Sequence, residues 1–178
     1  MTIPNLITTL RIILTPIFII YLLDEQFAAA LVVFVVCGVS DGLDGFLARV
    51  LKQRSTLGTY LDPIADKLIL VSTFVVLAVM EHVPIWLAVI VLSRDVLISL
   101  GVVVLQLYGM AIRIRPSILS KITTCLQFVT VIAVLGAEFV SLPEGPYDAL
   151  FLATAAATIG SGLHYMHAWF SMMGEGAE

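Results

Sequence analysis

Apolar residues run through this chain in long blocks, and polar positions gather in short clusters between and within them. Six blocks stand out, at residues 5–23, 27–50, 57–80, 83–108, 117–140 and 147–170. Each is close to the ~20 residues that a helix needs to cross a bilayer's hydrocarbon core. The pattern predicts an all-α integral membrane protein: a six-transmembrane-helix bundle in a single domain over residues 1–178, without internal repeat or linker. Short polar connections separate the blocks: Asp24-Glu25-Gln26, Lys52-Gln53-Arg54, Glu81-His82, and residues 109–116 and 142–146.

Cations fix the expected orientation. Arg49, Lys52, Arg54 and Lys67 flank the second connection, and Arg113, Arg115 and Lys121 surround the fourth. The first, third and fifth connections hold no Lys or Arg. The positive-inside rule then places both basic connections and both termini on the cytoplasmic side. The apolar N-terminus has no basic n-region or small-residue cleavage site, so it is expected to be a retained first span rather than a signal peptide.

Composition agrees with this reading. Of the 178 residues, 60% are hydrophobic and only 12% charged, with a mean hydropathy of +1.08. A soluble domain carries roughly 25% charged residues. The net charge of −4 says little, because placement matters more than the sum. Cys37 and Cys125 lie singly in apolar runs, which suits small hydrophobes rather than a disulfide or a reactive thiol.

The carboxylates are where the pattern turns into chemistry. Asp41 and Asp44 fall in the last turns of the second span, and Asp62 and Asp66 in the first turns of the third. A carboxylate at a bilayer centre costs about 2.5–3.5 kcal/mol on insertion scales, so four around one short loop need a reason. Spacings of i, i+3 and i, i+4 project each pair from one helix face. Two facing helices would gather all four at the cytoplasmic end of the bundle. Clustered carboxylates must protonate or bind cations. An all-oxygen donor set without His or Cys suits Mg²⁺ or Mn²⁺, and two such ions could clamp a diphosphate. Gly42, Gly45, Ala48 and Gly58 leave room for a nucleotide or for a neighbouring helix, and Gly38 with Gly42 forms a small-xxx-small pair. Arg49 could fork onto phosphate oxygens. The alternative is that the aspartates form structural ion pairs with Arg49, Arg54 and Lys67.

These residues carry a resemblance. Asp41-Gly42-x-Asp44-Gly45-x-x-Ala48-Arg49, followed after eight residues by Gly58-x-x-x-Asp62-x-x-x-Asp66, resembles the signature of the CDP-alcohol phosphatidyltransferases at every defining position. The resemblance implies metal-dependent transfer of a phosphatidyl group from CDP-diacylglycerol to an alcohol, with release of CMP. It implies metal ligation by Asp41, Asp44, Asp62 and Asp66, with Asp66 also the general base. It assigns Gly42, Asp44, Gly45, Ala48, Arg49 and Gly58 to the CDP pocket. Asn5, Thr8 and Arg11, on one face of the first helix, would form that pocket's side wall; the alternative is an N-cap and a snorkelling arginine. The resemblance further implies a homodimer in a bacterial inner membrane or an organelle membrane, and no nucleic-acid partner is expected.

Other polar positions point to the second substrate. Ser117, Lys121, Thr124 and Gln127 form a stripe into the fifth span, with Arg113 and Arg115 at its mouth. Arg113, Arg115, Lys121 and Thr124 are therefore expected to hold an anionic, glycerol-based acceptor, against the alternative of a basic loop on anionic lipid. Ser93-Arg94-Asp95 and Ser120-Lys121-Ile122-Thr123-Thr124 are more similar to the cardiolipin synthase branch than to the phosphatidylglycerophosphate synthases. The latter tend to carry a second Lys where Thr123 stands. One cation fewer favours phosphatidylglycerol over glycerol 3-phosphate as acceptor. Arg94 and Asp95, near mid-span, are neighbours that should not face one another on a helix, so each is expected to pair elsewhere. Pro16 is expected to kink the first span. His82 is expected in water, and His164, Tyr165, His167 and Trp169 in an interfacial belt with a frayed tail after them. Two alternatives of other classes are a membrane prenyltransferase with an aspartate–Mg²⁺ diphosphate site and a small cation transporter, whose site should lie near mid-membrane.

Overall fold

A computed structural model describes the backbone of residues 3–51, 56–107, 117–137, 139 and 144–175, and within these the side chains of 9–40, 67–101, 117–137, 139, 145–167 and 169. Six helices follow in order: α1 (Ile3–Leu23), α2 (Phe27–Leu51), α3 (Thr56–Val79), α4 (Ile85–Leu107), α5 (Ile118–Gly136) and α6 (Glu144–Glu175). No strand occurs among the described residues. Each expected block is a helix, with shifted ends. α5 stops at Gly136 rather than near 140, because 3₁₀-type bonds from Ala137 N to Val134 O and from Phe139 N to Gly136 O close its last turn. α6 is longer than expected: its 32 residues span about 48 Å, well beyond a bilayer core of about 30 Å. The tail expected to fray is helical through Glu175, and 176–178 lie outside the described residues. α1 continues through Pro16.

The chain forms two compact units, Met1–His82 with Val131–Leu142, and Val83–Thr130 with Pro143–Glu178. In the first unit, α1 packs against both α2 and α3. Its inner face carries Arg11, Thr15, Phe18 and Leu22, while Leu10, Ile13, Ile17 and Ile20 point outward. Phe18 meets Phe34 of α2 with ring centroids 5.7 Å apart, and Phe74 and Leu77 of α3 complete this core. Two matching turns end α1 and α3. Gln26 N bonds Tyr21 O and Glu25 N bonds Leu22 O; His82 N bonds Leu77 O and Glu81 N bonds Ala78 O. These are Schellman motifs, with Glu25 (φ 58°) and Glu81 (φ 63°) in the left-handed position that glycine ordinarily takes. His82 is exposed as expected, yet it also packs edge-on against Phe27 at 5.0 Å.

The second unit inverts the usual arrangement of polar and apolar faces. α5 turns Thr123, Gln127 and Thr130 inward and Ile118, Ile122 and Val129 outward. α6 turns Thr154, Thr158 and Ser161 inward and Leu152, Ile159 and Leu163 outward. Water would not tolerate such apolar outer stripes, but hydrocarbon would. α5 and the stretch 145–167 of α6 are also long and apolar enough to cross a membrane. Together these features support a membrane all-α fold.

Hydrogen bonds set the register of this unit. Thr123 donates to Ala157 O, Gln127 to Thr158, and Thr130 meets Thr154, so α5 runs antiparallel to α6. Arg94 of α4 lies beside Ser161 and Gly101 beside Trp169, so α4 and α6 run parallel. Tyr165 is buried rather than part of an interfacial belt, and the Trp169 ring lies 0.9 Å from where a Gly101 Cβ would stand. A side-chain-free backbone at Gly101 admits the Trp169 indole, whereas His164 and His167 are exposed.

Two expectations follow for thermal unfolding in detergent. Glu25→Gly and Glu81→Gly should each raise stability by up to about 1 kcal/mol, since an L residue in the left-handed region costs about 1–2 kcal/mol, partly offset by glycine's extra unfolded-state entropy. Gly101→Ala should lower it by about 1–3 kcal/mol and shift the Trp169 fluorescence, because the ring must leave its seat.

Candidate functional site

The motif aspartates lie on continuous helix. Asp41 and Asp44 fall in the C-terminal part of α2, and Asp62 and Asp66 in the N-terminal part of α3. The i, i+3 and i, i+4 spacings therefore act at helical geometry, and each pair shares a face of its helix. Gly42, Gly45, Ala48 and Arg49 continue along α2, and Gly58 lies in the first turn of α3. α1, which packs on both of these helices, carries Asn5, Thr8 and Arg11. The side chains of Asn5, Thr8, Asp41, Asp44, Ala48, Arg49, Asp62 and Asp66, with the surroundings of Gly42, Gly45 and Gly58, lie outside the described residues. Arg113 and Arg115 lie outside them altogether. No metal-binding group of three or more His, Cys, Asp or Glu occurs among the described residues. The donor set that the two helix faces would offer, four carboxylates without imidazole or thiolate, fits hard divalent cations.

Arg11 does not snorkel. It is 2% exposed, on the same inward face as Thr15, whose hydroxyl donates to Arg11 O (2.9 Å). An arginine so deep in a helix pair carries a large desolvation cost. Its burial fits an interior wall rather than an interfacial anchor.

The stripe on α5 descends from surface to core. Ser117 caps the helix by accepting from Ser120 N (3.1 Å). Lys121 is exposed, Thr124 is half-buried with its hydroxyl on Ser120 O (3.1 Å), and Gln127 is 1% exposed. A cation in the first turns of a helix opposes the macrodipole, so Lys121 gains nothing from its own helix. Thr123 is fully buried, with its hydroxyl committed to Leu119 O and Ala157 O at 2.9 Å each.

Arg94 and Asp95 correct the expectation that neighbours on a helix stay apart. Arg94 Nη1 donates to Asp95 Oδ1 at 2.6 Å, because the long arginine stem lets the guanidinium double back over its neighbour's carboxylate. The same guanidinium also reaches the other helices, as each charge was expected to: Nη2 donates to Ser120 Oγ of α5 (2.7 Å) and to Ser161 Oγ of α6 (3.1 Å). Residue 94 is mid-helix in α4 yet level with the first turn of α5. The 13 residues of α4 beyond Arg94 run past that turn for about 20 Å. Ser120 and Ser161 were not foreseen as partners, although Thr154, Thr158 and Ser161 at i, i+4 and i+7 already mark one polar face of α6.

The family model for CDP-alcohol phosphatidyltransferase matches residues 1–173. A cardiolipin synthase (CMP-forming) from Rattus norvegicus is 34% identical over 184 residues, covering 93% of this chain and 61% of that protein. A CDP-diacylglycerol–glycerol-3-phosphate 3-phosphatidyltransferase from Bacillus subtilis is 31% identical over 181 residues, covering 91% of this chain and 92% of that protein. One of the same description from Pseudomonas fluorescens is 46% identical over 105 residues, 56% of this chain and 53% of that protein. The chain thus spans about three-fifths of the length of the rat relative, and 61% of its human counterpart.

Proposed function

The chain belongs to the CDP-alcohol phosphatidyltransferase family, and from that premise we propose that it transfers the phosphatidyl group of CDP-diacylglycerol to an alcohol, releasing CMP. The observation that carries this reading is the complete Asp-Gly-Asp-Gly to Asp66 pattern borne on two helix segments, in a chain that the family model matches over residues 1–173. Family membership displaces the prenyltransferase and cation-transporter alternatives, which share the carboxylates but not the interleaved Gly, Ala and Arg.

In this reading Asp41, Asp44, Asp62 and Asp66 hold two Mg²⁺ or Mn²⁺ ions. Bound there, the ions would neutralise diphosphate charge and stabilise the leaving CMP. Arg11, Asn5 and Thr8 on α1, with Gly42, Gly45, Ala48, Arg49 and Gly58, cradle the CDP group. Asp66 accepts the proton of the acceptor hydroxyl as its oxygen bonds to the phosphatidyl phosphorus. The bond from that phosphorus to the bridging oxygen of the diphosphate breaks, and CMP carries the electron pair away.

The acceptor is proposed to be phosphatidylglycerol, giving cardiolipin. Relatives named cardiolipin synthase cover 93% of this chain. Thr123, whose hydroxyl is spent on the α6 backbone, adds no charge to the α5 turn, which suits a phosphodiester better than a phosphomonoester. Glycerol 3-phosphate is the second reading, favoured by the Bacillus and Pseudomonas relatives, named for that substrate. Arg113, Arg115, Lys121 and Thr124 are the proposed acceptor residues. We further propose six spans, both termini and the aspartates on the cytoplasmic side, and a homodimer in a bacterial inner membrane or an organelle membrane.

Asp66→Asn should lower turnover about 10²–10⁴-fold, the usual contribution of a positioned general base, while CDP-diacylglycerol still binds; normal turnover by this variant would remove the role given to Asp66. Chelation by EDTA should abolish transfer, and Mg²⁺ or Mn²⁺ should restore it. Activity that survives exhaustive chelation would contradict the metal site.

A further inference from the structure

The buried guanidinium of Arg94 joins three helices at one level: Asp95 on its own helix, Ser161 on α6 and Ser120 on α5. Its side chain is 8% exposed, and its stem runs close over α6, where a Cβ on Gly162 would lie 3.7 Å from Arg94 Cγ. Ser120 is the residue directly before Lys121, and its backbone N–H is the one that Ser117 caps. It also accepts the Thr124 hydroxyl at its carbonyl. One α5 residue thus receives the guanidinium on its side chain, the cap on its amide and Thr124 on its carbonyl. Helix-terminal turns fray unless something fixes them. α5 begins recessed beside the middle of α4, so its first turn depends on these contacts for its place.

We propose that Arg94 is a positioning residue for the acceptor: through the Arg94–Ser120 bond it locks the first turn of α5 and so fixes where Lys121 and Thr124 meet the acceptor's phosphate. This rests on the reading, given above, that Lys121 binds the acceptor. Arg94 acts through Ser120 and does not itself touch substrate. Asp95 keeps the guanidinium aimed by pairing with Nη1, which leaves Nη2 for the two serines. Lysine cannot replace this fork, since one ammonium does not span Asp95, Ser120 and Ser161 with fixed directions.

The test is kinetic, with the full-length protein in detergent or vesicles and each substrate varied separately. Ser120→Ala and Arg94→Lys should each raise the acceptor KM about tenfold, the worth of one charge-assisted hydrogen bond, with the CDP-diacylglycerol KM unchanged. Ser161→Ala, which leaves the α5 contact intact, should move the acceptor KM less than threefold. Arg94→Lys combined with Ser120→Ala should be no worse than Arg94→Lys alone, because both remove one link. If Ser120→Ala and Ser161→Ala lower melting temperature equally and leave both KM values unchanged, the bond is only a helix tie and the proposal falls. Lys121→Ala separates the two levels. If it leaves the acceptor KM unchanged, the acceptor reading itself fails; if it raises that KM while Ser120→Ala and Arg94→Lys do not, the positioning role alone fails.

Discussion

A polar group turned away from water must find its partner inside the protein, and among the described residues Arg94 shows that demand being met across three helices. Its charge is neutralised by the adjacent Asp95, and its remaining reach is used to tie α5 and α6 to α4. Along the rest of the α5–α6 pair the same requirement is met in smaller steps, by Thr123 on Ala157 O, Gln127 on Thr158 and Thr130 on Thr154. Each such interhelical bond in a membrane is worth only about 0.6 kcal/mol on average. Their direction matters more than their sum. With Ile122, Val129, Ile159 and Leu163 facing out, the seam turns Thr123, Gln127, Thr130, Thr154, Thr158 and Ser161 inward, away from hydrocarbon.

The first unit solves the same problem with less polarity. Phe18, Leu22, Phe34, Phe74 and Leu77 fill its core, and its only deeply buried charge among the described residues is Arg11. Schellman turns satisfy the last carbonyls of α1 and α3 at the expense of two left-handed glutamates. The proposed chemistry belongs to the other ends of α2 and α3. Carrying aspartates on helices rather than loops fixes their spacing by backbone geometry alone, which is how a rigid element holds a metal-binding constellation more closely than a loop can.

Much of this was legible in the residues. The six blocks became six helices because apolar length is a strong signal, and the aspartates fall on continuous helix, so their spacings are helical ones. The polar stripe from Ser117 to Gln127 does descend into the protein. Three things could not be read. The recess of α5 beside mid-α4 is a matter of register between helices, and no periodicity within one helix encodes it. The Arg94–Asp95 pair escaped because spacing rules describe Cβ directions, whereas a long guanidinium stem can turn back on its neighbour. Tyr165 and Trp169 suggested an interfacial belt by composition, but Tyr165 is buried and the Trp169 ring lies over Gly101. A glycine reveals its neighbour only when the partner helix is in place.

The proposed transfer is tested most directly by measuring CMP released from CDP-diacylglycerol by the purified protein, with phosphatidylglycerol, glycerol 3-phosphate and no acceptor supplied in separate reactions containing Mg²⁺ or Mn²⁺. CMP release that depends on phosphatidylglycerol, with cardiolipin formed in equal amount, is the result predicted. Release with glycerol 3-phosphate instead would move the chain to the other branch of its family. No CMP with either acceptor would contradict the phosphatidyl-transfer function.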